Sequence, residues 1–355
     1  MRIRVNDPDQ YSRVKATVMK LEDGMKEPFC DRLRQARDRA CGFLLTQQHD
    51  DGSLGKHERG VADCYKALMA FEVCGETRAA TRLCRWLRQN GLLPTGDFGP
   101  RPSQSSNFSY PYLNAWIIWG ACRLGQYDLA HRGMQFLLTF QDPETGGFYS
   151  TAAEHGAEGK QDLWVVAACG LAALATGKMG VARRAGEWLR HMFDLQPDFP
   201  RRLYLVYTRA QGLYFAPDPG DHQIRYVVES DSGSDQFFFA PGIAAAFLGQ
   251  LFQATGEKRW ISLAKDYLVL AEVASEYLYG LLRAGKVGWG ASILYQVTGE
   301  IKYLEMARRV GETLLRLQGR SGAWVESTDE VIEFTCEMVV WADIIQQIYA
   351  NWKQQ

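Results

Sequence analysis

A group of acidic residues stands directly before a strongly aromatic segment, where a carboxyl group could act as a general acid. Asp231 and Asp235 lie within residues 229–239, and Phe237 opens the aromatic run. A carboxyl group buried beside aromatic rings keeps its proton near neutral pH and can deliver it to a substrate. The alternative is helix capping, because Asp and Ser accept hydrogen bonds from free N–H groups at a helix start. We predict Asp235 as the acid, and either aspartate could cap while the other works.

Three other residues are candidates for partners in proton transfer. Asp63 lies in the apolar run 61–71, where an acidic side chain has either a function or a buried ion-pair partner. Glu333 precedes Phe334, and its acidic surroundings could instead be a solvated helix start stabilised by the helix dipole. His57 could transfer a proton near neutral pH, although a lone loop histidine is more often simply solvated.

Four further acidic positions lie close to predicted helix starts. Asp162 stands before an apolar segment, and we expect it to cap the helix that follows. Glu326, Glu330 and Glu333 share one helical face if the last helix begins before them. Glu337 lies among apolar residues, so solvation explains it less easily.

Aromatic residues are concentrated near the same predicted loops and helix starts. A cavity lined by such rings would bind an apolar ligand or stabilise a cation against the ring faces. Core packing is the alternative for several of them, and sugar sites also use aromatic platforms. The predicted substrate-binding residues are Tyr65, Tyr110, Tyr112, Trp116, Trp164, Phe237, Trp289 and Trp324.

The elements that must position these residues repeat along the chain. Five segments share an apolar helix, a turn at Gly followed by a polar residue, and then an amphipathic helix with basic residues. Gly ends a helix at little cost because it adopts the left-handed conformation without a Cβ clash. The turns are Gly75-Glu76, Gly125-Gln126, Gly177-Lys178, Gly256-Glu257 and Gly299-Glu300.

The two ends of the chain complete the pattern. The first amphipathic helix, at about 30–47, has no apolar helix before it, and the last apolar helix, at about 332–350, has no amphipathic helix after it. Pairing these two gives about six hairpins, so we predict an all-α, closed (α/α)6 toroid. Residues 1–355 then form a single domain, and the loops between outer and inner helices meet at one mouth.

One segment interrupts the repeat. Residues 200–236 contain runs rich in aromatic and β-branched residues, separated by a turn around Pro217. We predict a short β-rich flap that covers the mouth and excludes water. Because the flap has no counterpart in the repeat, we expect that the fold does not require it.

Several of these segments resemble known toroid proteins. Residues 47–55, 141–148 and 318–324 are similar to the QW repeats of terpenoid cyclases and protein prenyltransferases, which form closed (α/α)6 toroids. Residues 255–264 and 298–307 are equally similar to six-hairpin glycosidase-like proteins, including sugar epimerases and unsaturated-sugar hydrolases. This resemblance covers about residues 27–350 and implies the fold, because one fold supports different chemistries.

Motifs and composition narrow the functional classes. The D-x-D-D acid motif of class II cyclases is absent. The D-D-x-x-D diphosphate–magnesium motif of class I cyclases and the Asp-x-Cys zinc motif of the prenyltransferases are also absent, so we expect neither metal nor cofactor. A net charge of -1 gives no reason to expect nucleic acid, and no apolar run is long enough to cross a membrane. Eight cysteines without a C-x-x-C pair favour reduced thiols and a cytoplasmic protein, which could be a homo-oligomer.

Three functional hypotheses follow, of which two are enzymatic and one is non-catalytic. The first is a metal-independent cyclase, isomerase or dehydratase that acts on an apolar terpenoid or polyketide intermediate by acid-initiated chemistry. The second is a carbohydrate-active enzyme that uses paired carboxylates at the mouth. A sugar site should place more polar residues on the inner helices, and the apolar runs at 165–169 and 244–247 therefore favour the first. The reserve is a non-catalytic small-molecule binding protein.

Overall fold

Helices occupy most of the chain in the computed structural model, which describes residues 28–102, 109–215 and 225–353. In chain order the α-helices are α1 (Phe29–Thr46), α2 (Ala67–Cys74), α3 (Thr77–Trp86), α4 (Tyr110–Arg123), α5 (Tyr127–Leu137), α6 (Leu163–Ala175), α7 (Met179–Asp194), α8 (Ala240–Thr255), α9 (Lys258–Val273), α10 (Glu276–Tyr279), α11 (Gly285–Thr298), α12 (Ile301–Leu317) and α13 (Val331–Lys353). Turns of 3₁₀ helix occur at His57–Asp63, Leu138–Phe140 and Leu282–Ala284, and a π-helical turn at Leu87–Gly91 extends α3.

These helices form two layers with the core between and inside them. The outer layer contains α1, α3, α5, α7, α9 and α12, each with one exposed polar face. The inner layer contains α2, α4, α6, α8, α11 and α13, and in α6 every residue from Leu163 to Ala173 is buried. Each inner helix packs against its neighbours in the ring. The predicted closed (α/α)6 toroid is therefore confirmed.

Glycine turns connect each inner helix to the outer helix that follows it. Gly75 ends α2 with a φ of 74°, and Gly256 ends α8 with a φ of 71°. Both angles lie in the left-handed region, which costs a residue with a side chain roughly 1 kcal/mol or more. The predicted Gly turns thus mark the tight end of the toroid.

Helices α1 and α13 pack together and close the ring. The Arg37 guanidinium group lies 2.6 Å from the Asp343 carboxylate across this seam. The rings of Phe29 and Tyr349 meet edge to face, with centroids 4.9 Å apart. These contacts join the first and last described helices, so the predicted pairing of the two ends is confirmed.

In three of the repeats, a glutamine at the end of one outer helix donates a hydrogen bond to the backbone of the next outer helix. The Gln48 side-chain amide donates to the Ala79 carbonyl at 3.0 Å, and Gln141 donates to Val181 at 3.3 Å. At the seam, Gln318 donates to the Ala36 carbonyl at 2.7 Å. These are the glutamines of the QW-like segments, so the motif has a direct role in building the ring.

Short strands lie in the interruption of the repeat and at residues 161–162, directly before α6. They are β1 (Gln161–Asp162), β2 (Arg202–Tyr204), β3 (Val206–Thr208), β4 (Gly212–Leu213) and β5 (Val227–Glu229). The order β1-β3-β4 forms one antiparallel sheet, and β2 pairs with β5 in another. Leu203, Leu205, Val206 and Val228 are fully buried. The segment therefore contributes side chains to the core. That the fold does not require it and that it covers the mouth both stay predictions.

Candidate active site at the mouth of the toroid

A cavity of about 440 Å³ lies at the end of the toroid where the inner helices begin. It combines aromatic rings with guanidinium and carboxylate groups, and five of the predicted site residues contribute to it. The lining includes Arg59, Tyr65, Arg101, Tyr112, Trp164, Arg225, Phe237, Glu330 and Glu333. A mixture of flat rings and fixed polar groups is suited to a small ligand that carries oxygen atoms.

Glu333 is the most strongly engaged carboxylate on the cavity wall. Its Oε1 atom accepts a hydrogen bond from the Tyr65 hydroxyl group and a second from Lys66 Nζ at 3.0 Å. The Glu333 side chain is 22% exposed, whereas Lys66 is 4% exposed. Two donors behind the carboxylate fix its orientation, and the remaining acceptor capacity points to ligand binding or proton transfer.

Glu330 lies one helical turn before Glu333, immediately ahead of α13. It stands at the exposed rim, and its backbone carbonyl accepts from the Phe334 N–H at 2.9 Å. Loss of hydration against the cavity wall and the nearby charge of Glu333 raise the pKa of Glu330. The cavity therefore holds two carboxyl groups in different environments, which is the arrangement that separates a general acid from a base.

A smaller cavity of about 110 Å³ extends below, with Tyr112 and Glu333 in the lining of both. Lys66 also donates to Glu337, and Lys286 donates to the other oxygen of the same carboxylate. Burial, Lys286 and Lys66 act on Glu337, and the two ammonium groups prevail to lower its pKa to about 2. Burial lowers the pKa of Lys286 to about 8.

Sequence reasoning missed both lysines of this buried network. Lys66 and Lys286 are each surrounded in sequence by apolar or small residues, at 65–71 and 284–291. A lysine within such a run is almost never fully buried without a partner, so that context was an available signal. What the sequence does not show is that Glu337 lies between them.

The two aspartates predicted to start the chemistry are not buried. The Asp235 side chain is 48% exposed and lies 2.8 Å from the Arg283 guanidinium group. Asp231 is 68% exposed and lies 3.8 Å from Arg201. The prediction of a buried acid is wrong because α8 begins at Ala240, which leaves both residues in the solvated turn before it. A catalytic role for either one stays a prediction.

Asp63 and His57 lie on the 3₁₀ turn beside the cavity. Asp63 is buried, pairs with Arg59 and accepts from the Lys56 backbone N–H at 3.0 Å. This is the ion-pair alternative, and it fixes the guanidinium group of Arg59 at the cavity. The exposed His57 ring stacks on His49, with centroids 4.7 Å apart.

The last inner helix, α13, begins after Glu326 and Glu330, and not before them as a shared face would require. Because α13 begins at Val331, Glu326 lies in the preceding loop, where it accepts from the Ser321 backbone N–H at 3.1 Å. The condition for a shared face of three glutamates, a helix that begins before Glu326, is therefore not met. Asp162 does cap α6 as expected, because its carboxylate accepts from the Val165 N–H at 2.8 Å.

The predicted aromatic residues divide into two groups. Trp164 meets Phe237 edge to face at 5.3 Å, and Tyr65 meets Tyr112 at 6.2 Å, all at the mouth cavity. Tyr110 donates to Asp97 at 2.5 Å in the adjacent wall. Predicted binding by Trp324 is at odds with its position, because it is fully buried and donates to the Leu314 carbonyl at 3.0 Å.

A stack of tryptophans crosses the centre of the toroid. The ring of Trp289 lies between Trp119 and Trp341, with centroid distances of 5.3 and 4.7 Å. Trp116 packs against Trp341 at 5.9 Å on the side of Tyr112. Trp119 and Trp289 also line a second cavity of about 580 Å³ at the opposite end. Trp116 and Trp289 therefore belong to a partition and not to the mouth lining.

The described residues contain no group of three His, Cys, Asp or Glu side chains arranged to hold a metal ion, and metal independence stays a prediction. Within the same residues, every helix is too short or too polar to span a lipid bilayer. Homo-oligomerisation likewise stays a prediction.

Comparisons with known proteins give structural neighbours alone. No protein-family model matches the chain, and no curated protein matches it in sequence. A crystal structure of D-mannose isomerase matches with a TM-score of 0.62 at 13% identity, covering 86% of this chain and 96% of the isomerase. A variant of the type II terpene cyclase MstE from Scytonema, in complex with merosterolic acid A, matches with a TM-score of 0.61 at 15% identity, covering 92% and 99%.

A third neighbour is an unsaturated glucuronyl hydrolase specific for heparin. It matches with a TM-score of 0.61 at 9% identity, covering 92% of this chain and 98% of the hydrolase. All three match over nearly their whole length, so the expected likeness in fold is confirmed. Identities this low establish the fold and no particular reaction.

Proposed function

We propose that the protein is a carbohydrate-active enzyme that uses Glu330 and Glu333 as paired carboxylates at the mouth of the toroid. The observation that carries this proposal is the presence of two carboxyl groups, one helical turn apart, on the wall of a polar and aromatic cavity. Their different surroundings assign them different roles in proton transfer. This choice differs from the expectation of an apolar cavity, because guanidinium groups and carboxylates face the ligand space.

Each residue has a role that follows from its contacts. Glu333, held by Tyr65 and Lys66, acts as the base or nucleophile. Glu330, whose pKa is raised by lost hydration and by Glu333, acts as the acid. Phe237, half-buried on the cavity wall, supplies a ring against which a sugar can pack. Arg59, fixed by its buried ion pair, donates to sugar hydroxyl or carboxylate oxygens.

The structural neighbours support this substrate class without fixing the substrate. By their names, one isomerises D-mannose and another hydrolyses unsaturated glucuronyl groups. Both reactions move protons at sugar carbon or oxygen atoms, for which an acid and a base are sufficient. The same constellation therefore serves either isomerisation or hydrolysis in this chain.

The test is a substrate panel with matched variants. The purified full-length protein is incubated with free hexoses, mannosides and unsaturated uronyl disaccharides, and products are followed by nuclear magnetic resonance and chromatography. Conversion of one sugar class that disappears in Glu333→Gln but persists in Glu305→Gln is expected, since Glu305 is exposed on α12. The proposal is overturned if no sugar is converted, or if Glu333→Gln retains full turnover.

Acid-initiated cyclisation is the second candidate. The observation that favours it is the group of four rings at the mouth cavity, Tyr65, Tyr112, Trp164 and Phe237, which could stabilise a cation. One cyclase neighbour was solved with geranylgeranyl dihydroxybenzoate as its substrate. Incubation with that compound tests this candidate, and formation of a cyclised isomer without any activity on sugars would favour it over the first.

A further inference from the structure

We propose that Lys286 is a reactive amine that forms an imine with small aldehydes or ketones entering through the mouth cavity. The geometry points to this because Lys286 lines the 110 Å³ cavity that shares Tyr112 and Glu333 with the larger one above it. This activity does not rest on the proposed function, since it requires only a carbonyl compound small enough to reach the lower cavity.

The position of Lys286 is fixed by its backbone. It lies in the first turn of α11, where Gly242 of α8 approaches so closely that an added Cβ would stand 2.3 Å from the Lys286 carbonyl group. The side chain is 5% exposed, and its Nζ atom lies 4.8 Å from the centroid of the Phe239 ring. The amine is therefore held in one place at an apolar wall, which removes the usual freedom of a lysine side chain.

The charges around Lys286 favour loss of its proton over loss from Lys66. Lys66 contacts two carboxylates, Glu333 and Glu337, whereas Lys286 contacts Glu337 alone. The other ionisable groups in this lining are Tyr112 of α4 and Arg283, and Arg283 is paired with Asp235. A lysine buried in an apolar pocket or placed beside a second cation is a known arrangement for an amine nucleophile.

The pKa directions agree with this geometry. Burial opposes the charge of Lys66, but the attraction of Glu333 and Glu337 prevails and raises its pKa well above the usual value. For Lys286, burial and the Lys66 charge outweigh the attraction of Glu337 and lower the pKa to about 8. At that pH about half of the Lys286 side chains carry a free electron pair, against less than about 1% for an ordinary lysine.

The reaction balances without any further reactant. The Lys286 nitrogen attacks the carbonyl carbon, forming a C–N bond, and the carbonyl oxygen becomes a hydroxyl group. Both amine protons then leave with that oxygen as water, and the C=N bond of the imine remains. No oxidant or reductant takes part in this step.

The test is reductive trapping in the full-length protein. Glycolaldehyde is added with sodium cyanoborohydride between pH 6 and 9. Mass spectrometry of peptides then identifies the alkylated lysines and measures the rate at which each is alkylated. We expect Lys286 to be labelled at least about tenfold faster at pH 8 than Lys160, a buried lysine outside this network, because about half of the Lys286 side chains are unprotonated at that pH. Labelling of Lys286 should rise with pH up to about 8 and level off above it.

A substitution at Lys66 tests how the neighbouring positive charge affects Lys286. Lys66→Met should slow the labelling of Lys286 at pH 7, because removing the neighbouring cation leaves two carboxylates near one ammonium group. Circular dichroism melting shows whether each variant is folded. Equal labelling of Lys286 and Lys160 in the unchanged protein overturns the proposal, whatever happens to sugar turnover.

Discussion

The Ser150 hydroxyl group donates a hydrogen bond of 2.6 Å to the carboxyl group of Asp162, which is completely buried at the start of α6. The same carboxyl group caps the helix through the Val165 N–H. Burial outweighs these hydrogen bonds and raises the pKa of Asp162 from 3.8 to about 7. The folded protein therefore binds this proton more tightly than the unfolded chain does.

Asp162→Asn is expected to change how stability depends on pH. The contribution of Asp162 to stability is fully present below about pH 4 and is lost as pH rises towards 7, because the unfolded chain releases this proton while the folded protein still holds it. Asparagine can keep the cap without ionising, so the melting temperature of the variant relative to the parent should rise between pH 5 and 8.

Asp142→Asn is the matched control for that measurement. Although burial alone would raise the pKa of Asp142, hydrogen bonds from Glu144, Gln161 and Thr145 and the charge of Arg209 lower it. Its contribution is lost only below about pH 4. Its melting difference should be flat between pH 5 and 8, and parallel behaviour of the two variants would contradict the role assigned to Asp162.

Glu333→Gln and Glu330→Gln are expected to lower turnover by roughly 10²–10⁴-fold, the usual scale for a general acid or base. Because Glu330 must be protonated to act as the acid, kcat/KM should fall as pH rises through its raised pKa. Asp235→Asn removes an exposed ion pair and should leave turnover unchanged. A large loss of turnover in Asp235→Asn with normal turnover in Glu333→Gln would return the acid role to Asp235.

Trp324→Ala is expected to destabilise the fold by about 3–5 kcal/mol, because a fully buried ring is removed from between helices. Phe237→Ala, a half-buried ring at the cavity wall, should instead weaken substrate binding and raise KM. Urea unfolding and steady-state kinetics of both variants separate the two effects. Normal stability of Trp324→Ala together with a raised KM would restore its predicted role in binding.

Leu205→Ala is expected to cost about 2–5 kcal/mol of unfolding free energy, since Leu205 is fully buried beneath the short strands. Phe215→Ala, in the same segment, is the control because its side chain is 60% exposed, and it should cost little. Chemical denaturation checks both. Equal midpoints for Leu205→Ala and the parent would show that the segment is indeed dispensable for folding.

Removal of divalent ions is expected to leave turnover unchanged. Acid and base groups suffice for the proposed reaction, and the sequence lacks the acidic and cysteine motifs by which related toroid enzymes bind metals. Activity is measured after dialysis against a chelator and again after zinc or magnesium is added. Recovery that depends on an added metal would contradict the prediction.

The ring could be predicted from sequence because its signals are local. Each Gly turn and each apolar or amphipathic period is contained within a few residues, and the unpaired helices at about 30–47 and 332–350 specify closure. The segments that contain Gln48 and Gln318 are identified by their resemblance to QW repeats. The structure shows what the two glutamines do, because each donates a hydrogen bond to the next outer helix.

The site was harder to predict because it depends on contacts between distant helices. Glu337 lies between Lys66 and Lys286, which are 271 and 51 residues away in sequence. No local pattern encodes that arrangement. The predicted burial of Asp235 is wrong because its exposure depends on where α8 begins, at Ala240. Helix boundaries are the least certain feature of sequence interpretation.

The tryptophan partition has a consequence for the order of kinetic events. Since Trp119, Trp289 and Trp341 stack across the middle, a molecule in the mouth cavity faces a wall of rings and not a tunnel to the far end. In the proposed reaction, substrate and product would then both pass through the mouth cavity. A second substrate cannot arrive until the first product has left, so product accumulation should inhibit competitively, and bulky products should leave most slowly.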